Sequence, residues 1–167
     1  MFFGGILFLI LFAFLAFLFA VFVISRFRYR ANLEFITKVS IVIPAFNEGR
    51  HIGSCIESIL NSDYPKGMIE VIVVDDGSTD NTLEILQKYN DVKVLKQEHK
   101  GKVEALNLGA ANSSYDYLMT IDADTAVDKK CIWEMMKPFA DNRVGATTGS
   151  CAVRHKNTII EAFQNIE

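Results

Sequence analysis

Charge is what the first stretch of this chain lacks. Between Met1 and Ser25 there is no charged side chain, and the residues are mostly Phe, Leu, Ile, Val and Ala. Cysteine is also scarce. Cys55, Cys131 and Cys151 are odd in number and far apart. No close pair is available for a zinc site, so they read as reduced, partly buried thiols of a cytosolic compartment. There is no basic block beyond the arginines that follow the apolar stretch, and the net charge is only -3. That speaks against nucleic acid as a partner. No internal repeat or low-complexity segment follows the apolar run. The 167 residues allow one domain of ordinary size plus a small appendage.

The run from Phe2 to Ile24 is uninterrupted and shows no polar face, which argues against a buried soluble helix. About 23 residues at 1.5 Å each would reach roughly 34 Å, enough to cross a hydrocarbon core of about 30 Å. A cleaved signal peptide would want a basic start and a shorter core, whereas here the basic residues come after the run. The expectation is therefore a transmembrane helix over residues 1–25, with a basic juxtamembrane linker over residues 26–38. Arg26, Arg28, Arg30 and Lys38 lie on its C-terminal side, and Phe27 and Tyr29 suit the interface. The positive-inside rule then puts the rest of this single-pass chain in the cytoplasm.

From Val39 onward, β-branched runs alternate with segments of helical period. Strands are predicted over Val39–Pro44, Glu70–Asp75, Val92–Lys96 and Tyr115–Ile121, with a fifth at Val144–Gly149. Helices are predicted over Arg50–Asn61, Asp80–Tyr89, Lys102–Ala111, Lys129–Phe139 and Asn157–Glu167. Ile52, Ile56, Ile59 and Leu60 would form the inner face of the first of these helices, and Leu83, Leu86 and Tyr89 that of the second. The Tyr64-Pro65-Lys66-Gly67 stretch is a turn. Such alternation implies an α/β domain over residues 39–167, with a largely parallel, Rossmann-like sheet covered by helices on both faces. Ligands of such sheets bind beyond the carboxyl ends of the strands.

Three polar segments fall there. The first strand runs into Pro44-Ala45-Phe46-Asn47-Glu48, the second ends in Asp75-Asp76-Gly77-Ser78-Thr79-Asp80, and the fourth ends in Asp122-Ala123-Asp124. Ser78 or Thr79 is expected to cap the next helix. A cap does not explain two adjacent, mutually repelling carboxylates, and a fixed carboxylate could accept the ring N–H of a uracil. Asp122 and Asp124 read either as a solvated strand end or as hard oxygen ligands for Mg2+ or Mn2+, which bind through one or two carboxylates plus substrate phosphates. Such a metal would neutralise charge on a departing diphosphate. Lys102 opens the third helix, where it could meet phosphate oxygens or simply be solvated. His51, His99 and His155 have no partner carboxylate at helical spacing and read as structural or surface residues.

Taken in order, the segments Val39–Glu48, Val73–Asp80, Gly101–Asn107 and Asp122–Asp124 resemble the nucleotide-binding half of a family 2 glycosyltransferase of the GT-A fold. The resemblance covers roughly Val39 to Glu167. It implies an inverting enzyme that takes a sugar from a nucleotide diphosphate, most simply a UDP-sugar, and passes it to a glycan or lipid-linked acceptor. By matching position, Pro44, Ala45, Asn47 and Glu48 would line the nucleoside pocket. Asp76 would meet the uracil with Asp75 in support, Asp122 would approach the ribose or diphosphate, Asp124 would hold the metal, and Lys102 would sit near the phosphates. Phe163-Gln164-Asn165-Ile166-Glu167 is similar to the corresponding segment of the processive synthases of chitin, hyaluronan, cellulose and poly-N-acetylglucosamine. The family's catalytic base, a carboxylate further on, and the synthases' Gln-x-x-Arg-Trp segment have no counterpart here. The expectation is thus a catalytic domain truncated at its C-terminus. Two alternatives are a single-transfer polyprenyl-phosphate glycosyltransferase and a non-catalytic sugar-nucleotide-binding fragment. A nucleotidyltransferase would want a Gly-rich basic loop where Pro44–Glu48 stands.

Overall fold

The computed structural model describes residues 2–28 and 35–150. These fall into two compact units, divided between Leu33 and Glu34. The first contains helix α1, Phe2–Arg28. Its described side chains are Gly5 and those from Leu9 to Val23, and Phe12, Phe17, Phe19 and Phe22 are all more than 60% exposed. Among the described residues, no helix is long and apolar enough to cross a membrane. The span expected over residues 1–25 is therefore not met by what is described of α1.

The second unit is built on four parallel strands: β1 (Val39–Ala45), β2 (Ile69–Asp75), β3 (Val92–Lys96) and β4 (Tyr117–Thr120), in the spatial order β3-β2-β1-β4. The helices are α2 (Ile52–Leu60), α3 (Thr82–Leu86), α4 (Lys102–Ala111) and α5 (Cys131–Met136). Alternation along β1 and β2 sends side chains to both faces. Ile41, Ile43, Val71 and Val73 join Ile52, Ile56 and Ile59 of α2, Leu86 of α3, and Ile132 and Met136 of α5. Val42, Ile72 and Val74 pack on the opposite face with Ala105 of α4. Each such fully buried aliphatic side chain contributes on the order of 2 kcal/mol. Gly109 lets α4 lie close, since a Cβ there would meet Val42 Cγ1 at 2.3 Å and Val74 Cγ2 at 3.2 Å.

The bounds of β3 and α4 are those the sequence predicts. Strands β1 and β2 each run one residue further than predicted, to Ala45 and from Ile69, and the other elements are shorter, for local reasons. Helix α2 starts at Ile52, and Cys55 takes the buried position expected of Leu60, which is 39% exposed at the helix end. Helix α3 covers only Thr82–Leu86, because Asp80 is committed to the neighbouring loop and the chain tightens after it, with Lys88 and Tyr89 donating to carbonyls three residues back. Neither Ser78 nor Thr79 caps α3. The N-cap is Asn81, which makes no side-chain cap bond. Pro138 lacks an N–H, and the chain after α5 tightens into a 3₁₀ helix, Lys137–Ala140. Val144–Gly149 is not a strand: Val144 N–H turns back to the Asp141 carbonyl, and Thr147 Oγ1 donates to the Met135 carbonyl at 3.0 Å. The expected helix at Asn157–Glu167, with Cys151, His155 and the Phe163–Glu167 segment, lies outside the described residues.

The strand order creates the crevice. The chain proceeds outward from β1 to β3 and then returns to the other side of β1, so the direction reverses between β1 and β4. Strand β4 pairs with β1 only from Val39↔Tyr117 to Val42↔Thr120. The Val42 carbonyl still accepts from Ile121 N–H at 3.1 Å, so two residues on the nitrogen of Pro44 faces the same side. A proline is tolerated there because no ladder bond is needed. Beyond that point β1 and β4 part, and their ends form the walls of a cleft.

Candidate nucleotide-sugar site

The cleft has a volume of about 360 Å³, within the usual range for small-molecule sites. Its walls are Pro44, Ala45, Phe46 and Glu48 from the end of β1, Asp76 after β2, His99 and Lys102 around the start of α4, and Asp122, Ala123 and Asp124 after β4. Of the residues singled out in the sequence, Pro44, Ala45, Glu48, Asp76, Lys102, Asp122 and Asp124 are thus brought together. Asn47 and Asp75 are not on the cleft wall.

Asn47 instead braces two loops. Its backbone is in the left-handed region, with φ 57°, which asparagine tolerates better than most residues. Its N–H donates to Ser78 Oγ at 2.9 Å, and its Oδ1 accepts from Thr79 N–H at 2.8 Å and Asp80 N–H at 3.3 Å. The next two amides continue the brace: Glu48 N–H donates to Thr82 Oγ1 and Gly49 N–H to Asp80 Oδ2. The loop after β1 is therefore fixed to the loop after β2 before any ligand arrives. Asp75 is 2% exposed, and its Oδ1 accepts from Ser78 N–H at 3.3 Å, closing the turn that carries Asp76 past the strand end.

Asp76 is 3% exposed and fully occupied. Oδ1 accepts from Gln97 Nε2 at 2.6 Å and Lys100 N–H at 2.8 Å, while Oδ2 accepts from Gly101 N–H at 2.9 Å and lies 2.8 Å from His99 Nδ1. Burial pushes its carboxyl up. The bonds from Gln97, Lys100 and Gly101 and the nearby imidazole outweigh that and hold it below the usual carboxylate range. The carboxylate thereby ties the end of β2 to the segment that leads into α4. Gly77, at φ 77°, leaves room for this, since a Cβ there would sit 2.9 Å from the His99 nitrogen.

His99 is the residue the sequence does not reveal. It reads there as lone, yet it pairs with Asp76, 23 positions away, and stacks on Phe46 with ring centroids 4.1 Å apart and 25° between planes. His51 also has a carboxylate neighbour, Glu48 Oε2 at 3.1 Å.

Lys102 Nζ donates to Asp122 Oδ1 at 2.6 Å, and both side chains are more than half exposed. An ammonium thus sits beside the strand-end carboxylates, at the start of a ten-residue helix whose first amides are directed outward. Asp124 is exposed, and its carboxylate accepts only a long bond from Thr125 Oγ1 at 3.5 Å among the contacts described. Behind this turn Cys55 is buried, its Sγ donating to the Asp122 carbonyl at 3.6 Å. Burial and the charges of Asp124 and Asp122 push its thiol up to about 12, so it stays protonated and acts as a packing residue.

Among the described residues, no three metal-ligating side chains converge. Mg2+ and Mn2+ do not require three when a diphosphate supplies further oxygens. Two accessible carboxylates separated by one small buried residue, Ala123, fit that donor set.

Comparison with known proteins agrees with the geometry. Residues 40–162 match the family described as Glycosyl transferase family 2. The poly-beta-1,6-N-acetyl-D-glucosamine synthase of Staphylococcus aureus (strain COL) is 36% identical over 141 residues, covering 81% of this chain and 34% of its own. The chain thus spans about a third of the length of the curated relatives it matches. Among solved structures, the mannosyltransferase PcManGT from Pyrobaculum calidifontis in complex with GDP-Man and Mn2+ is similar over 77% of this chain and 41% of its own, at 25% identity and a TM-score of 0.64. S. aureus TarS 1-349 in complex with UDP is similar over 59% of this chain and 30% of its own, at 29% identity and a TM-score of 0.55. A family match over most of the chain, on a parallel sheet with its motifs at one cleft, means that this chain belongs to glycosyl transferase family 2 and is a glycosyltransferase by descent.

Proposed function

We propose that the cleft binds a nucleotide-diphosphate sugar, a UDP-sugar, together with Mg2+ or Mn2+, and that the whole protein transfers the sugar to a glycan or lipid-linked acceptor. The observation that carries this reading is the convergence of four strand-end segments on one cleft. Acceptor groups for a base, a cation for phosphates and two open carboxylates all line it. Asp76, once one of its present neighbours gives way, would supply an acceptor and no donor, which favours a base with a ring N–H, such as uracil, over cytosine, whose ring N3 carries none. Lys102 would exchange Asp122 for phosphate oxygens. Asp122 and Asp124 would hold the metal, whose chemistry is to neutralise charge on the departing diphosphate. The braced loops of Asn47 and Asp75 keep these groups in place, so little ordering is left for binding. We assign no catalytic base among the described residues.

The relatives point the same way. The named complexes contain UDP, or GDP-Man with Mn2+, and the curated relative is a synthase of poly-beta-1,6-N-acetyl-D-glucosamine. By that likeness, polysaccharide synthesis is the proposed setting. We further propose that residues 1–25 anchor the chain in a membrane, with residues 26–38 as linker and the catalytic domain in the cytoplasm. Support comes from the uncharged run before Ser25, the arginines after it and the apolar side chains exposed along α1.

Calorimetric titration of the full chain in detergent tests the donor reading. UDP is expected to bind at least tenfold more tightly with Mn2+ than with EDTA, and CDP more weakly than UDP. A folded sample that binds no UDP with Mn2+ would sink the proposal.

A further inference from the structure

The Asp76 carboxylate has no open side for a nucleobase. Oδ1 accepts from Gln97 and Lys100, Oδ2 accepts from Gly101, and His99 Nδ1 stands 2.8 Å from Oδ2 on the remaining side. Three of those donors are fixed by the fold: Gln97 follows β3, with its own N–H on the Asp75 carbonyl at 3.0 Å, and the amides of Lys100 and Gly101 lead into α4. The fourth is different. The His99 side chain is 58% exposed while the Asp76 side chain beneath it is 4% exposed, so the imidazole is the cover over the carboxylate. It is a flat ring that lies on the face of Phe46, with Nδ1 hydrogen-bonded to the Asp76 main-chain carbonyl at 3.1 Å and 2.8 Å from Asp76 Oδ2. Stacking on one face plus a ring N–H to a fixed carboxylate is also what a uracil would do in this cleft.

We infer that His99 is a stand-in for the nucleobase: its ring occupies the base seat between Phe46 and Asp76 Oδ2, and the donor must displace it to bind. The inference rests on the donor-binding reading above and adds to it the location of the base and a built-in competitor for it. The backbone of His99 need not move. Gly77 lies directly against the His99 nitrogen, and Lys100 and Gly101 hold the following amides on Asp76, so the swing is a side-chain rotation. Displacement leaves the carboxylate with its three hydrogen bonds and opens the side of Oδ2 to the base N–H, while the Asp76 carbonyl gives up its bond to the ring. The ring thus keeps a buried carboxylate satisfied when no nucleotide is present, at the cost of affinity when one is.

The test is UDP titration of wild-type full chain and His99→Ala in detergent with Mn2+, each shown to be folded by thermal melting. Removing the competitor is expected to tighten UDP binding by roughly threefold to tenfold. In the wild type, the His99 ring proton resonances are expected to shift as UDP is added, because the ring leaves the face of Phe46. Equal or weaker binding by His99→Ala, with ring resonances unmoved by UDP in the wild type, would overturn the stand-in while leaving the donor site intact. A wild type that binds no UDP overturns the donor reading itself and the stand-in with it.

Discussion

Asp76→Ala is expected to lower the melting temperature of the catalytic unit by roughly 10 °C, a loss of about 3 kcal/mol. The substitution removes an acceptor from Gln97, from the Lys100 and Gly101 amides and from His99 at once, and an amide left without a partner costs about 1–3 kcal/mol. The effect has a signed pH dependence. The carboxyl is held below its ordinary range in the folded chain, so its contribution is fully present above the unfolded value near ~4 and is lost as pH falls through the folded value. Melts of both proteins at pH 7 and at pH 3 check this: the gap between them is expected to narrow at the lower pH. A gap that is constant or grows on acidification would mean that the carboxylate form is not what holds the loop. UDP affinity is expected to fall in the same variant, since the base loses its acceptor.

Asp124→Ala should separate binding from stability. The side chain is exposed and makes only the long contact with Thr125, so the melting temperature is expected to stay within about 2 °C of the wild type. The Mn2+-dependent gain in UDP affinity, in contrast, is expected to drop by more than tenfold, because one of two carboxylates for the metal is gone. Titrating UDP with Mn2+ and with EDTA on the same sample reads the metal term alone. Metal-dependent binding that persists without Asp124 would remove this residue from the metal site.

The contrast between these aspartates could not be read along the chain. Asp75, Asp76, Asp122 and Asp124 all stand at strand ends, and hydrophobic alternation is enough to put them there. The apolar runs at Val92–Lys96 and Lys102–Ala111 are compact and bounded by polar residues, so β3 and α4 carry the predicted limits. What separates the aspartates is hydrogen bonding between segments distant in sequence. Asp76 is spent on residues 21 to 25 positions later, and Asn47 on residues 31 to 33 positions later. No local period signals such bonds. For the same reason Asn47 looks like a cleft residue and is a brace, while His99 looks like a surface histidine and is a wall of the cleft. Ser78 and Thr79 have the composition of helix caps, but Asn47 competes for them, and the cap position moves to Asn81. The β-branched residues of Val144–Thr148 satisfy a strand pattern, yet Val144 bonds back to Asp141, Thr147 to Met135 and Thr148 to the adjacent Gly149 instead of to a neighbouring strand.

A metal-bound nucleotide between the ends of β1 and β4 is tested most directly by paramagnetic broadening by Mn2+. Amide resonances of the isotope-labelled full chain in detergent are recorded with UDP and Mg2+, then with a trace of Mn2+. Signals of Asp122, Ala123, Asp124 and Lys102 are expected to broaden first. Signals of Ser40 and Ser114 at the opposite end of the sheet, where both hydroxyls donate to Glu70, should stay sharp. Broadening centred on any other part of the chain, or none at Asp122–Asp124 while UDP is bound, would contradict it.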